Sequence, residues 1–338
     1  MNKLFTITRL LLFPLSVIYY IIITLRNLFY DFGIIKSIEY KTPIISVGNL
    51  TVGGTGKTPF VIYLAEYFIR KNKKVGVISR GYKSKAKELV IAYDSKGNKA
   101  PVDLTGDELG MIINRFSSSD NNFFAIAYYN RSEAIKKMEE LFSPDIIILD
   151  DAFQNRSINK TIDIIIINKE WNTLFNKILL PAGNLREPYS SSERADIVLN
   201  NFKFLPIKDN HSFAFNYINN GYCDIHNNSL LHTDKIRAIT ISGIADNNSF
   251  INAVKSSGVN VIKSYSFCDH YDYLQSNIRN FESDYMEENI FITTEKDFVK
   301  LKEYNDFIEK YPVYYLRIDV NLDNNILEEL FRKKDLQW

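Results

Sequence analysis

Residues 44–59 read Ile-Ile-Ser-Val-Gly-Asn-Leu-Thr-Val-Gly-Gly-Thr-Gly-Lys-Thr-Pro. An apolar run ends in a glycine-rich turn, then Gly56-Lys57-Thr58, then helical spacing over 60–70. That order is the layout of a phosphate-binding loop between a strand and a helix. Glycines let backbone N–H groups turn inward around phosphate oxygens. A lysine reaches the β/γ-phosphates, and a threonine hydroxyl sits on Mg²⁺. The helix behind the loop adds the positive end of its dipole. Pro59 suits its first turn, where a missing N–H costs nothing. The expected nucleotide-binding stretch is therefore Thr51, Val52, Gly53, Gly54, Thr55, Gly56, Lys57 and Thr58. Thr51 stands where the usual pattern has glycine; Gly53 and Gly54 supply the freedom instead.

Roughly a hundred residues on, the apolar run 146–149 closes on Asp150-Asp151. A strand ending in acids is how a phosphate-loop enzyme holds Mg²⁺, directly or through water. Thr58, Asp150 and Asp151 are thus the candidate metal ligands, with solvated turn acids as the plainer alternative. Asp107-Glu108 opens a predicted helix after Gly106; taken alone, it reads as a first-turn cap. Asp269-His270 follows a strand-like run and is either structural or an acid–base pair. The loop 181–188 carries Arg186 and Glu187, and the stretch 293–297 closes another apolar run with Glu295, Lys296 and Asp297. Their spacing alone assigns neither a purpose.

The chain has 338 residues, 46% of them hydrophobic, which is enough for a packed core in one large α/β domain or two smaller ones. A net charge of +1 gives no electrostatic reason to expect a nucleic-acid partner, and no obligate protein partner is implied. The two cysteines match no metal spacing and fit a reduced compartment.

No charge falls between Arg9 and Arg26, and residues 10–25 read LLLFPLSVIYYIIITL. As a helix this covers about 24 Å, against roughly 30 Å of hydrocarbon. The absence of a small-residue cleavage site and the need for ATP at the loop that follows speak against a cleaved signal peptide. A buried core helix and a membrane anchor both remain. The anchor accounts better for the flanking arginines and for Phe13, Tyr19, Tyr20, Phe29 and Tyr30.

Short apolar runs then alternate with helical patterns: strands near 75–78, 89–92, 123–129, 146–149 and 162–167, with helices from 105 and over 132–142. The alternation predicts a mainly parallel sheet covered on both faces. The pattern loosens and turns Asn-rich over 200–235, then resumes with strands near 236–242, 259–266, 289–293 and 313–320. We expect an N-terminal membrane-associated helix over 1–32. A P-loop NTPase-like α/β/α sandwich would follow over 33–205, and a smaller α/β/α domain closing the site over 206–338.

With these motifs in order, the chain closely resembles the tetraacyldisaccharide 4′-kinases of lipid A biosynthesis. The similar stretches are VGNLTVGGTGKTP at 47–59, SRGY at 79–82, GDE at 106–108, DDAFQNR at 150–156, LLPAGNLREP at 179–188, SGIA at 242–245, FCDHY at 267–271 and TTEKDFVKL at 293–301. The resemblance implies transfer of the ATP γ-phosphate, with Mg²⁺, to the 4′-hydroxyl of an acylated disaccharide 1-phosphate. The location implied is the cytoplasmic face of the inner membrane. It implies that Lys57 and Thr58 serve the phosphate loop and that Asp150 and Asp151 lie near Mg²⁺. Asp107 would be the catalytic base, assisted by His270. The family commonly has Gly and His where Ala152 and Asn155 stand, and often a second His at Tyr271, so no roles carry over to those three positions.

Two rivals remain on the sequence. A P-loop switch or partition-type NTPase often has Lys before its paired glycines, where Val52 stands here. A guanine-reading Asn-Lys-x-Asp is also missing, since Asn168-Lys169-Glu170 is followed by Trp171. The second rival is a non-catalytic, membrane-tethered ATP binder.

Overall fold

The computed structural model describes residues 8–94, 96–116, 122–168, 174–207, 213–226, 228–229, 236–334 and 336. Residues 169–171, read above for guanine recognition, lie outside these. The first half is built from β1 (Ile44–Gly48), α2 (Lys57–Arg70), β2 (Val75–Ser79), β3 (Val90–Tyr93), α3 (Val102–Thr105), α4 (Asp107–Arg115), β4 (Phe123–Ala127), α5 (Arg131–Phe142), β5 (Ile146–Asp150), β6 (Ile162–Asn168) and β7 (Ile197–Asn201). Helix α1 (Phe13–Asp31) precedes it. The second half comprises β8 (Ala214–Cys223), β9 (Arg237–Ser242), α6 (Asn247–Ser256), β10 (Asn260–Ser266), α7 (Gln275–Ser283), β11 (Asn289–Thr294), α8 (Glu295–Leu301), α9 (Asn305–Lys310), β12 (Val313–Asn321) and α10 (Asn324–Lys333).

One sheet of twelve strands runs through the described residues, in the order β10-β9-β11-β12-β8-β7-β6-β1-β5-β2-β4-β3. Its pairings are parallel except β3–β4 and β8–β12. The continuous apolar runs of β1, β2, β4 and β5 are explained directly: every residue in them is buried, as expected for strands covered on both faces.

Strand β8 determines how the two halves meet. Its first residues pair parallel with β7, Asn200 opposite Ala214 and Asn201 opposite Phe215. The remainder runs on past β7 and pairs antiparallel with β12, from Asn216 opposite Asn321 to Cys223 opposite Tyr315. The second half therefore lies beyond the carboxyl ends of the first-half strands and runs in the opposite sense. Its own strand ends point back toward them. Open α/β sheets bind ligands outside their strand carboxyl ends, and here two such edges face each other.

Two features differ from the sequence expectation. The Asn-rich stretch expected to be a loose join, 200–235, contains the end of β7 and all of β8. The alternation of β7 and the half-buried, partly exposed middle of β8 hide them from a search for continuous apolar runs. Helix α10, expected within the second domain, packs on the first-half core: Phe331 lies 5.2 Å from the Phe68 ring and 5.8 Å from that of Tyr67. The chain thus crosses to the second half and returns.

Helix α1 is inside-out relative to a core helix. Its buried residues are Ser16, Ile23 and Asn27, while Leu15, Ile18, Ile21, Ile22, Leu25 and Phe29 are exposed. The buried stripe bonds to the loop at 179–187. Ser16 Oγ donates to Leu179 O at 2.9 Å and accepts from Ala182 N at 3.0 Å. Tyr19 OH donates to Arg186 O at 2.9 Å, and Asn27 Nδ2 to Glu187 Oε2 at 2.9 Å. Glu187 is fully buried and also pairs with Arg26 at 3.2 Å and Arg194 at 2.9 Å. The core-helix alternative fails on this point, because the apolar face looks outward. A contiguous exposed apolar face of this size marks an interaction surface.

Candidate active site

The phosphate loop leaves β1 and enters α2 through Gly56, whose φ of +92° favours glycine. A Cβ there would lie 2.0 Å from Tyr217 OH and 2.3 Å from Asn201 Nδ2. Both neighbours sit at the β7–β8 junction, and Asn201 Nδ2 also donates to Thr55 O at 2.9 Å. The loop is thereby packed against the seam between the halves. Thr55 is buried, with Oγ1 accepting from Asn49 Nδ2 at 3.0 Å.

Register brings the acidic pair beside this loop. Strand β5 pairs with β1, with Asp150 opposite Val47. Arg131, the first residue of α5, donates to Asp150 O at 2.6 Å and Asp151 O at 2.7 Å, fixing the strand end. Asp151 takes a φ of +49°, so the chain turns sharply and the two carboxylates part. Asp151 receives Arg186 through both oxygens, at 3.0 and 2.8 Å, and Lys57 Nζ lies 3.5 Å away. Burial pushes its pKa up, but Lys57 and Arg186 outweigh burial and hold it below the usual carboxylate value.

Asp150 is the opposite case. It is 1% exposed, and neither carboxylate oxygen has a hydrogen-bond partner among the described residues. Burial, with Glu108 and Asp151 adding repulsion, pushes it up to about 7. Leaving an unpartnered carboxylate in the interior is expensive unless something binds it. Mg²⁺ characteristically takes one or two carboxylates and completes its shell with water and substrate phosphates. The residues present fit that ion: a free buried carboxylate, the hydroxyl of Thr58 on the cleft wall, and a phosphate loop between them.

The second half contributes His270, just beyond β10. Its φ is +56°, an uncommon conformation for a non-glycine residue. The conformation is held by His270 N to Gly243 O at 3.2 Å and by Lys83 Nζ to His270 O at 2.8 Å. The Tyr82 ring packs edge-on, 4.8 Å away. Nδ1 of His270 meets both carboxylate oxygens of Asp107, at 3.0 and 2.9 Å. Asp107 opens α4, with Gly106 at its N-cap. Burial pushes Asp107 up. The hydrogen bond from His270 and the charges of Lys296, His270 and Lys300 outweigh it and hold the carboxyl at about 2.

Of the residues expected from sequence, then, the structure brings Lys57, Thr58, Asp150 and Asp151 into one cluster and Asp107 with His270 into another. Both clusters border one cleft of about 1000 Å³, where Lys57, Asp150 and His270 all line the wall. Asp107 sits behind His270. The partner of His270 is Asp107, 163 positions away, and not the adjacent Asp269, which accepts from the His270 backbone N at 3.0 Å. Arg186, Arg131 and Lys296 were not assigned from sequence. Arg186 and Lys296 lie in the charged motifs noted above, which was the available signal; Arg131 gave none.

The family model described as Tetraacyldisaccharide-1-P 4′-kinase matches residues 8–335. A tetraacyldisaccharide 4′-kinase from Aquifex aeolicus is 34% identical over 333 residues, covering 95% of this chain and 96% of its own length. The one from Flavobacterium psychrophilum is 32% identical, with 98% and 96% covered. The crystal structure of "apo" form LpxK from Aquifex aeolicus in complex with ATP superimposes with a TM-score of 0.79 at 32% identity, covering 97% of this chain and 99% of that one. With the family model matched over nearly its whole length, the chain belongs to the tetraacyldisaccharide-1-phosphate 4′-kinase family.

Proposed function

We infer that the cleft between the two halves is where this chain, an ATP-dependent tetraacyldisaccharide 4′-kinase, performs phosphoryl transfer to a lipid A precursor. The product is the 1,4′-bisphosphate. One observation carries the reading. The wall of the cleft includes the phosphate loop, His270, and Tyr19, Ile23 and Arg26 of α1. A nucleotide site, an acid–base group and a lipid-facing helix share one cavity. A soluble switch NTPase has no use for the third.

Transfer of a γ-phosphoryl group depends on positioning and charge neutralisation more than on covalent chemistry. Backbone N–H groups of 51–58 would hold the phosphates. Lys57, parked on Asp151 at 3.5 Å, would reach the β/γ-phosphates once they arrive. Thr58 and Asp150 would hold Mg²⁺, with Asp151 close by; when bound, the ion neutralises charge on the transferring group. Asp107 would accept the proton of the 4′-hydroxyl, with His270 holding its carboxylate in place. A carboxyl held at about 2 is a weak base, which suits a loose transition state where the proton leaves late.

The domain division follows the same logic: the nucleotide half over 33–205, and the smaller unit from 206, with α10 returned to the first core. Helix α1 would sit in the membrane interface of the cytoplasmic leaflet, where ATP is available. Its polar stripe is bonded to the body from Ser16 to Asn27, which favours lying along the surface over crossing alone. The test uses the full chain in mixed micelles with radiolabelled ATP and tetraacyldisaccharide 1-phosphate. Label should enter the lipid with the wild-type protein and not with Lys57→Ala. ADP release without lipid labelling would support the non-catalytic or switch alternatives.

A further inference from the structure

Nε2 of His270 points away from Asp107, and Lys296 Nζ lies 3.1 Å from it. The same ammonium is 3.1 Å from Asp269 Oδ1 and 3.9 Å from Asp107 Oδ2. Lys296 is the second residue of α8, whose N-cap Thr294 accepts from Asp297 N. The helix is pinned to α4. Glu295, the first residue of α8, pairs with Arg115, the last residue of α4, and Arg115 also reaches Asp319 at 2.7 Å. Lys302 Nζ donates to Asn114 Oδ1 at 2.7 Å. Helix α4 therefore carries Asp107 at one end and is fastened at the other to the helix carrying Lys296. The relative position of these two groups is set by two packed helices, not by a loose side chain.

Three contacts fix the proton on the imidazole. Asp107 can only accept, so Nδ1 is the donor. Lys296 can only donate, so Nε2 is the acceptor. We propose that Lys296 is a positioning residue of the phosphoryl-transfer site: its ammonium fills the Nε2 lone pair of His270 and so keeps the single ring proton on Nδ1, against Asp107. This rests on the reading of Asp107 as proton acceptor and adds the group that keeps it competent. Around His270 stand Asp107, Glu108 at 3.9 Å, Asp269 at 3.8 Å, Lys296 and the Tyr82 ring. Around Asp107 stand His270, Lys296 and Lys300, the last at 3.6 Å. Without the ammonium, Nε2 faces the two carboxylates of Glu108 and Asp269, which favour a proton there. An imidazolium would then pair with Asp107 and draw charge from the oxygen that must accept the hydroxyl proton.

The test is the pH profile of kcat in Lys296→Gln and Lys296→Arg, in the full chain with ATP and the lipid acceptor in mixed micelles. Lys296→Gln should lose most activity at low pH. Its acidic limb should move up by about one pH unit or more, the usual effect of a unit charge at this distance. Activity should recover toward the wild type at high pH, with the KM for ATP little changed. Lys296→Arg should keep the wild-type shape. A uniform loss at every pH would make Lys296 a packing residue and overturn the proposal, as would a Lys296→Gln profile identical to wild type. Where the variants fail to fold, ¹⁵N shifts of His270 in the wild-type protein, assigned with His270→Gln, decide the matter. A protonated Nδ1 and bare Nε2 at neutral pH are expected; a protonated Nε2 would refute the role. Full activity in Asp107→Ala would instead sink the underlying acceptor reading, whatever Lys296 does.

Discussion

Replacing Asp107 by Asn removes one charge and almost no volume. In the folded chain the carboxyl is held at about 2, against 3.8 for the free group. At 1.36 kcal/mol per unit, that is on the order of 2–3 kcal/mol of stability at neutral pH. Because the folded value is depressed, the contribution is complete above pH 3.8 and fades as pH falls toward 2. Asp107→Asn should therefore melt on the order of 5 °C below wild type at pH 7, with the gap closing near pH 3. The lost charge also leaves Lys296 and Lys300 buried with fewer partners, so the drop should not be smaller. Catalysis should fall further, by about 10²–10⁴-fold in kcat, with the KM for ATP little changed. His270→Ala should fall in the same range. The double variant should be scarcely worse than the poorer single one, because groups acting as a unit are not additive. Thermal scans followed by far-UV circular dichroism and steady-state assays in one detergent measure both. Unchanged melting with unchanged kcat in Asp107→Asn would refute the reasoning, and strictly multiplicative losses would separate the two residues.

Mg²⁺ activation should strengthen as pH rises to about 7 and then level off, since the ion must displace the proton that burial keeps on Asp150; titrations at pH 6 and 8 read this, and Asp150→Asn should abolish the dependence. Gly56→Ala should raise the KM for ATP at least tenfold, because its Cβ collides with Tyr217 OH and Asn201 Nδ2 at a φ that disfavours alanine; a normal KM would mean the loop rearranges freely. A chain starting at Asp31 should lose co-sedimentation with vesicles, and should also melt lower, since buried Glu187 then loses Arg26 and keeps Arg194; undiminished sedimentation would mean α1 is not the principal anchor. Phe331→Ala should destabilise the nucleotide half by about 3–5 kcal/mol, measured by urea unfolding, because its ring sits on Phe68 in that core.

The strands buried on both faces were legible because β1, β2, β4 and β5 read as unbroken apolar runs. The phosphate loop was legible because its chemistry is local: Gly56, Lys57 and Thr58 are adjacent in sequence and in space. Strands β7 and β8 were not, since β7 alternates buried and half-buried residues and ends in two asparagines, and β8 is Asn-rich with exposed positions. The destination of α10 was also hidden, because an amphipathic helix does not say which core it will cover. The separation between Asp107 and His270 explains why spacing alone read them as a cap and a half-structural pair. Only the resemblance joined them. Lys296 and Arg186 stood in conspicuous motifs, but their partners are folded in from elsewhere, and no local pattern encodes a contact to Asp107 or Asp151.

The central claim is that the phosphate loop and Asp107 of one half, joined by His270 of the other, act on a single membrane lipid. The most direct measurement is ³¹P NMR of the lipid recovered after reaction with ATP and Mg²⁺, alongside ADP quantified from the same tube. The account predicts one new phosphomonoester, at the 4′ position, in equal amount to ADP, and neither product with Lys57→Ala. ADP without a new lipid phosphate, or phosphate at any other position, would contradict it.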